Sequence, residues 1–463
     1  MDWGSSRIHF VGIGGSGMSG IARIVAARGG KVSGSDLHDS PTLDSLRAIG
    51  IEIFANHDAK NVTSLRPGKD IVVRSSAVSE ANVEIKTAGE LGISVMQRAE
   101  FLALLLEGHN SVAIAGTHGK TTTTSMLTVA LQHARRDPSF VIGATVSNSG
   151  TNAHQGSGDI FVVEADESDG SFTYYHPNCA IITNIELDHV DNFQDLAAID
   201  RLFQKFVATI KSGGTLVACS DDPGVQRLIE SISRNATIQV RTYGEIGDPS
   251  LKLDRIFVDA KSSRARVTHQ GRVLGEIQLA IPGRHNLFNA AAALLMGIQL
   301  GVPAGDLIAG MALFTGARRR FEIKGVVNQV TVVDDYGHHP TELRATLETA
   351  KTYAGSGRVI VIFQPHRFSR TRAFADEFAL ELAKADHTFL LEVYPAGENP
   401  IPGVSSLSIA QRMPDGKFTY EPSMPAVIES VIKMAKPGDL ILTLGAGDVS
   451  SLGTLIVANL QSS

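Results

Sequence analysis

The stretch Ser111–Gln132, SVAIAGTHGKTTTTSMLTVALQ, decides how the chain is read. Val112, Ala113, Ile114 and Ala115 form a short apolar run of strand character. Gly116-Thr117-His118-Gly119-Lys120-Thr121 is a glycine-punctuated turn. Thr122 to Leu131 then carries apolar residues at Met126, Leu127, Val129 and Ala130, which predicts a helix with one buried face. Strand, glycine turn and helix together make a phosphate cradle. The first N–H groups of a helix lack partners within it, and the helix dipole favours an anion there. Lys120 can reach terminal phosphates, and the Thr121 hydroxyl can ligate Mg²⁺. Where the usual phosphate loop has its first glycine, this chain has Ile114, so the turn is a shorter GxxGKT form.

The rest of the composition suits that nucleus. A length of 463 residues predicts about three domains. A 43% hydrophobic and 19% charged chain can bury large cores. The net charge of −6 gives no general attraction to nucleic acid or anionic membranes, so neither is an expected partner. Cys179 and Cys219 both lie beside apolar runs and read as buried free thiols. No secretory signal and no long apolar span are visible, so the expected compartment is the cytoplasm, with the chain a monomer or weak homodimer.

Toward the N-terminus, Ile8–Val11 reads as a strand, Gly12-Ile13-Gly14-Gly15-Ser16-Gly17 as a turn, and Met18–Ala27 as a helix. A second strand begins at Lys31 and ends near Ser35 and Asp36. This is G-x-G-x-x-G followed by an acid about 20 residues on, in a strand–helix–strand setting. Alone it suggests an NAD enzyme, yet the turn offers only backbone amides to a pyrophosphate, and any diphosphate nucleotide would serve. Asp70–Val73 is a further strand that leads into Ser75 and Ser76, either ligand-facing hydroxyls or a plain turn.

Beyond the phosphate turn, Asp159–Val163 ends in Glu164-Ala165-Asp166-Glu167-Ser168-Asp169. A carboxylate at such a strand end is the usual second metal anchor; Glu164 is the first choice and Glu167 the second. Ala180–Ile185 runs into Glu186-Leu187-Asp188-His189, where His189 can ligate a metal. From Thr237 to Leu279 short alternating runs predict appended antiparallel strands. Asn286 and Asn289, three apart at a helix start, can read an adenine edge or simply cap. Arg318-Arg319-Arg320 sits at a unit boundary, where domain closure would supply a γ-phosphate clamp. Thr331–Val333 leads into Asp334-Asp335-Tyr336-Gly337-His338-His339-Pro340, with Pro340 suited to a first helical turn. Arg358–Phe363 is the clearest buried strand and ends in Gln364-Pro365-His366-Arg367-Phe368-Ser369-Arg370. Arg367 and Arg370 can fork onto a carboxylate or phosphate.

Taken in order, GIGGSGMSGIA, GTHGKTTTT, EADESD, NIELDHVD, GRHNLFNAAAA, GARRRFE, DDYGHHPTEL and QPHRFSRT resemble the Mur ligases of peptidoglycan synthesis along nearly the whole chain. The resemblance implies an α/β protein of three domains: a Rossmann-like unit at 1–106 for a UDP-sugar, a central P-loop ATPase-like unit with appended antiparallel strands at 107–315, and a Rossmann-like unit at 316–463 for an amino acid. It implies ATP and Mg²⁺ as cofactors, with UDP-N-acetylmuramate and L-alanine as the substrates of the branch that the GIGGSGM start favours. Gly14, Gly15, Ser16, Gly17, Met18, Ser35, Asp36, Ser75 and Ser76 would hold the sugar nucleotide. Gly116, Thr117, His118, Gly119, Lys120, Thr121 and Thr122 would cradle ATP, Asn286 and Asn289 its adenine, Asp335 its ribose and Arg320 its γ-phosphate. Thr121, Glu164 and His189 would hold metal. Tyr336, His338, His366, Arg367 and Arg370 would line the alanine and acyl-phosphate region, where a cationic His and Arg cluster would stabilise the oxyanion. Lys120, Glu164, His189, His338 and Arg367 carry the chemistry in this reading. Several family members use a carbamylated lysine where this chain has an apolar residue near Phe203, with Lys205 close by. An NAD oxidoreductase would leave GTHGKT unexplained; a non-catalytic nucleotide switch and a ligase that adds a recycled tripeptide to the same sugar each fit part of the pattern.

Overall fold

Three sheets follow one another along the chain in the computed structural model, which describes residues 3–75, 77–232 and 237–462. The first contains β1 (Arg7–Val11), β2 (Lys31–Asp36), β3 (Glu52–Ala55), β4 (Ile71–Arg74) and β5 (Ser94–Gln97). Their order is β3-β2-β1-β4-β5, and every pair is parallel. The strand order reverses between β1 and β4, so the glycine turn after β1 lies at the edge where such sheets bind ligands.

The second sheet has ten strands: β6 (Asn110–Ala115), β7 (Ser139–Val146), β8 (Thr151–His154), β9 (Ile160–Glu164), β10 (Cys179–Ile182), β11 (Thr215–Cys219), β12 (Gln239–Gly244), β13 (Leu251–Val258), β14 (Ser263–His269) and β15 (Arg272–Leu279). They run in the order β15-β14-β13-β12-β11-β10-β6-β9-β7-β8. β6 pairs in parallel with β10 on one side and β9 on the other, so the phosphate turn leaves from inside the sheet. Of the stretch 237–279 expected to be antiparallel, β13, β14 and β15 are, whereas β12 pairs in parallel with β11 and β13. The third sheet orders β16 (Glu322–Val327), β17 (Val330–Asp335), β18 (Val359–Phe363), β19 (His387–Leu390), β20 (Phe418–Tyr420) and β21 (Leu440–Leu444) as β16-β17-β21-β18-β19-β20. Only β16 is antiparallel to its neighbour; β18 and β21 are buried at every position. The expected three-unit α/β architecture is therefore the observed one.

The helix after the phosphate turn, Lys120–His133, departs from its expectation of one buried face: every residue from Thr121 to Leu131 is buried. Helices Arg284–Gln299 and Ala304–Ala312, which also touch the sheet, pack against this helix and complete its burial. The contact is close enough that a Cβ at Gly310 would lie 2.7 Å from the Ala130 Cα. A threonine-rich helix interior is costly because β-branched residues lose rotamer freedom and bring hydroxyls into the core. Thr124, Ser125 and Thr128 resolve this by donating to the carbonyls four residues back at 2.7–2.8 Å.

The β7–β8 hairpin carries no motif, yet it joins all three units. Asn152 Nδ2 donates to the Ser16 carbonyl at 2.7 Å, and Arg318 N donates to the Thr145 carbonyl at 3.2 Å. Phe203 is fully buried in a ring cluster with Phe172 and Phe206, whereas Lys205 is exposed. A lysine carbamate at either position would not face the cleft described next.

Candidate active site where three domains meet

A cleft of about 1610 Å³ is lined by residues of all three units, among them Ser16, Lys120, Thr121, Glu164, His189, Arg320, Tyr336, His338, Arg367 and Arg370. Its floor is the phosphate turn. Gly116 and Gly119 take φ values of +134° and +82°. A Cβ at Gly116 would lie 2.0 Å from Thr183 Oγ1, and one at Gly119 would lie 2.6 Å from Asn289 Oδ1, so only glycine fits at both. Thr117 and Thr122 are buried against the turn. Lys120 Nζ donates to the carbonyls of Gly116 and Thr117 at 2.6 and 3.0 Å and pairs with Glu167 at 2.8 Å. Burial would lower its pKa, but Glu167 and Asp166 raise it, so the ammonium stays charged.

The expected metal set divides in two. Thr121 Oγ1 donates to Glu164 at 2.8 Å, and Gly143 N donates to the other oxygen of Glu164 at 2.8 Å. His189 instead lies with Glu167 and Asp166, all three offering ligand atoms within 4.8 Å of one another. Glu164 ends β9, and the chain turns immediately beyond it; this carries Asp166 and Glu167 across toward His189. Glu167, the second choice by sequence, is thus the carboxylate between Lys120 and His189, 3.3 Å from the imidazole. Hard carboxylate oxygens with one imidazole and a hydroxyl fit a divalent ion of the Mg²⁺ class.

At the sugar-nucleotide end several expected contact residues prove to be scaffold. Asp36 Oδ2 accepts from Gly14 N at 2.8 Å, so the acid grips the turn. Ser35 is fully buried and donates to Glu84 at 2.6 Å, and Met18 is core. Burial would raise the Glu84 pKa, but the His9 imidazole 3.6 Å away and hydrogen bonds from Ser35 and Asn61 hold it down at about 2. Gly15 precedes the helix that starts at Ser16, and Ser16 faces the cleft; Gly17 packs where a Cβ would lie 3.2 Å from the Arg98 guanidinium. Ser75 makes a plain turn, its N donating to the Val11 carbonyl and its Oγ accepting from Ala77 N. Ser76 lies outside the described residues.

The two asparagines separate as well. Asn286 Nδ2 donates to the Pro282 carbonyl at 2.7 Å, which fastens the helix start. Asn289 lines a second cleft of about 500 Å³ between the middle and C-terminal units, with Asn184, Phe288 and, opposite, Ala345 and Thr352. Asp335 does not reach out to a ribose. It is buried and accepts from Phe321 N, Gly337 N and Thr346 Oγ1 at 2.8, 2.8 and 3.1 Å, fixing both loops that flank the cleft.

In the C-terminal wall, Tyr336 lies under Arg319 and Arg320, with ring centroid distances of 4.9 and 5.3 Å. Arg367 pairs with Asp191 and, at 3.7 Å, with Glu398. Arg370 donates through Nε and Nη2 to Asp188 at 2.9 and 2.7 Å, and both side chains are only 3% exposed. Burial would raise the Asp188 pKa, but Arg370 holds it well below the usual carboxylate range. Both arginine pairs cross from the C-terminal unit to the middle one. The expected cationic histidines are corrected: burial pushes His338 down to about 3 and His366 to about 4, so at neutral pH they are uncharged, as is neighbouring His339, also at about 4. Among the described residues the positive charge in this wall comes from arginines and Lys324. His118 does the opposite. Against the lowering effect of burial, Glu186 and Glu342 raise it to about 9. Sequence reasoning misses Glu167 as the central acid, the hairpin and Glu342. The last has a signal, an acid three residues after His339 at a helix start.

Known proteins share this three-part organisation. Residues 7–110 match the Mur ligase family catalytic domain, 114–297 the Mur ligase middle domain and 319–447 the Mur ligase glutamate ligase domain. A UDP-N-acetylmuramate–L-alanine ligase of Saccharopolyspora erythraea is 47% identical over 98% of this chain and 93% of its own length. One from Mycobacterium marinum is 47% identical over 98% of this chain and 95% of its own. The crystal structure of the UDP-N-acetylmuramate–alanine ligase of Thermotoga maritima superposes with a TM-score of 0.81 at 30% identity, covering 98% of this chain and 99% of that one. A murein peptide ligase from Psychrobacter arcticus gives 0.73 at 25% identity, covering 99% of both chains. Three family matches that follow the three sheets, with relatives aligned end to end, leave one conclusion: the chain belongs to the Mur ligase family.

Proposed function

We propose that this enzyme joins L-alanine to the carboxylate of UDP-N-acetylmuramate at the expense of ATP, a step in building the peptidoglycan precursor. The reading rests on one observation. Lys120, Thr121 and Glu164 of the phosphate turn, Ser16 of the first unit and Arg320, His338 and Arg367 of the third share a single cleft. The units 1–106, 107–315 and 316–463 then serve sugar nucleotide, ATP and amino acid in turn.

A carboxylate resists attack by an amine until it carries a leaving group. One carboxylate oxygen attacks the γ-phosphorus of ATP; that O–P bond forms, the bond to the β,γ-bridging oxygen breaks, and ADP leaves. The alanine nitrogen then attacks the acyl carbon, phosphate departs, and the amine proton is lost. Most of the acceleration in such transfers comes from positioning and charge neutralisation. Lys120 neutralises the phosphates, Arg320 the transferring group, and Arg367 and Arg370 orient the alanine carboxylate. His338, uncharged at neutral pH, lines the cleft where it can orient the amine by a hydrogen bond while the proton passes to solvent. Thr121 with Glu164, and His189 with Glu167, would hold Mg²⁺, which would supply charge neutralisation to the phosphates. Closure of the three units excludes water that would hydrolyse the acyl phosphate. No helix among the described residues is long and apolar enough to cross a membrane.

ADP release with UDP-N-acetylmuramate and either L-alanine or the tripeptide L-alanyl-γ-D-glutamyl-meso-diaminopimelate tests the assignment. Turnover with alanine and little with tripeptide is expected; the reverse would make this a recycling ligase, and turnover with neither would remove the proposal.

A further inference from the structure

One carboxylate draws together parts of the site that belong to different domains. Glu342 occupies the first turn of helix Pro340–Ala354, where the helix dipole favours an acid. Its side chain is 10% exposed. Oε1 lies 3.3 Å from His118 Nδ1 in the phosphate turn and 3.4 Å from Arg320 Nη1. Oε2 accepts from His338 N at 3.0 Å and lies 3.4 Å from His338 Nδ1. Next to it, Thr341 Oγ1 donates to Glu186 at 2.6 Å, and Glu186 stands 3.6 Å from the other nitrogen of His118. The imidazole of His118 is thus clasped by one acid from its own domain and one from the C-terminal domain, with the His339 ring centred 4.8 Å away and tilted by 36°.

The cluster His118, Glu186 and His339 has the composition of a metal site. Its bonding argues otherwise. His339 uses Nε2 on the Leu187 carbonyl at 3.1 Å and Nδ1 on Thr341 N at 3.3 Å, so both ring nitrogens are taken. The geometry is that of a joint between domains.

We infer that Glu342 is a positioning residue for phosphoryl transfer. Anchored on His118, it sets the distance between the phosphate turn and the C-terminal wall and holds Arg320 and His338 at the reacting end of the cleft. Its 3.3–3.4 Å contacts to His118 and Arg320 are long for hydrogen bonds, so the attraction is mainly Coulombic and Arg320 remains able to turn toward a phosphoryl group. This inference rests on the ligase reading, and its test is scored as a ratio to the wild-type enzyme, so that a wild type inactive with alanine would indict that reading alone.

The test is a double-mutant cycle on the full chain with Glu342→Gln, His118→Gln and the pair, measuring kcat, the KM values for ATP and L-alanine, and the affinity for UDP-N-acetylmuramate. Glu342→Gln keeps the shape and removes the charge. It should lower kcat at least tenfold and raise the ATP KM, with sugar-nucleotide affinity within twofold of wild type. His118→Gln, which leaves the C-terminal wall untouched, should reproduce most of the loss, and the pair should be no worse than the poorer single variant. Losses that multiply in the pair, an unchanged kcat in Glu342→Gln, or an equal fall in sugar-nucleotide affinity would overturn the inference. If Glu342→Gln does not fold, Glu342→Asp, which keeps the charge but withdraws it by one methylene, decides: a kcat and an ATP KM within twofold of wild type overturn the inference, and a tenfold fall in kcat with intact sugar binding upholds it.

Discussion

Arg370→Met is the most informative single change, because Arg370 has two separable tasks. It pairs with Asp188 across the domain boundary through two hydrogen bonds of 2.7–2.9 Å, in a place where both groups are almost wholly buried. It also lines the cleft. Methionine preserves the apolar stem but strands the Asp188 carboxylate. Removing one partner of a buried pair costs about 3–5 kcal/mol, because the remaining charge is left uncompensated. The pair joins two domains, so the cost falls on their docking, where each ~1.4 kcal/mol is a factor of ten. The docking equilibrium constant should drop by roughly two to three and a half orders of magnitude relative to wild type. Small-angle scattering and amide exchange at the Glu186–Asp191 segment would register this as opening. Asp188→Asn combined with Arg370→Met removes both charges and should restore most of the docking and the ATP KM, while the alanine KM stays high if Arg370 holds the amino acid. Unchanged scattering in Arg370→Met, or a double variant as open as the single one, would refute the reasoning.

Further predictions concern other parts of the molecule. Lys120→Ala should abolish ADP release while sugar-nucleotide binding by titration calorimetry stays near wild type; a collapse of that binding would contradict the division of sites between domains. His118 is raised to about 9 when folded, above its ordinary 6.5. Its stabilisation is therefore complete below about pH 6.5 and lost as pH rises through 9. Docking measured by scattering should weaken over that window in wild type and show no such slope in His118→Gln. In the first domain Asp70 accepts from Arg7 N, Arg66 N and the Arg66 guanidinium; burial would raise it, but these bonds hold it at about 2. Its contribution is present above about pH 4 and lost as pH falls through 2, so Asp70→Asn should cost about 2 kcal/mol at pH 7 by denaturant melting. Lys205→Ala should leave the rate within twofold, with or without added bicarbonate, since that side chain is exposed.

The parts legible in the sequence are those where one local rule suffices. Gly116 and Gly119 announce a turn that no other residue could form, and β18 and β21 announce themselves as unbroken apolar runs. Roles set by contacts distant in sequence are not legible. Asp36 reads as a sugar-nucleotide contact by its spacing, but its orientation is fixed by Gly14 N. Asp335 reads as a nucleotide contact, but Phe321 N and Thr346, on either side of it in the chain, turn it inward. Arg367 and Arg370 read as ligand forks; their partners Asp191 and Asp188 lie about 180 residues earlier. The histidines of the third domain read as cations because sequence gives composition, whereas burial decides protonation. The β7–β8 hairpin escapes notice because its alternation is interrupted by glycines, although Asn148-Ser149-Gly150 is a serviceable turn signal.

The central claim is that phosphoryl transfer to a carboxylate precedes amide formation in this cleft. Hydroxylamine added to enzyme, ATP and UDP-N-acetylmuramate in the absence of alanine tests it most directly. The account predicts a hydroxamate of the sugar nucleotide, formed with equimolar ADP and absent in Lys120→Ala. Alanine-dependent ligation that proceeds normally while no hydroxamate can be trapped, or a hydroxamate that forms equally well in Lys120→Ala, would contradict it.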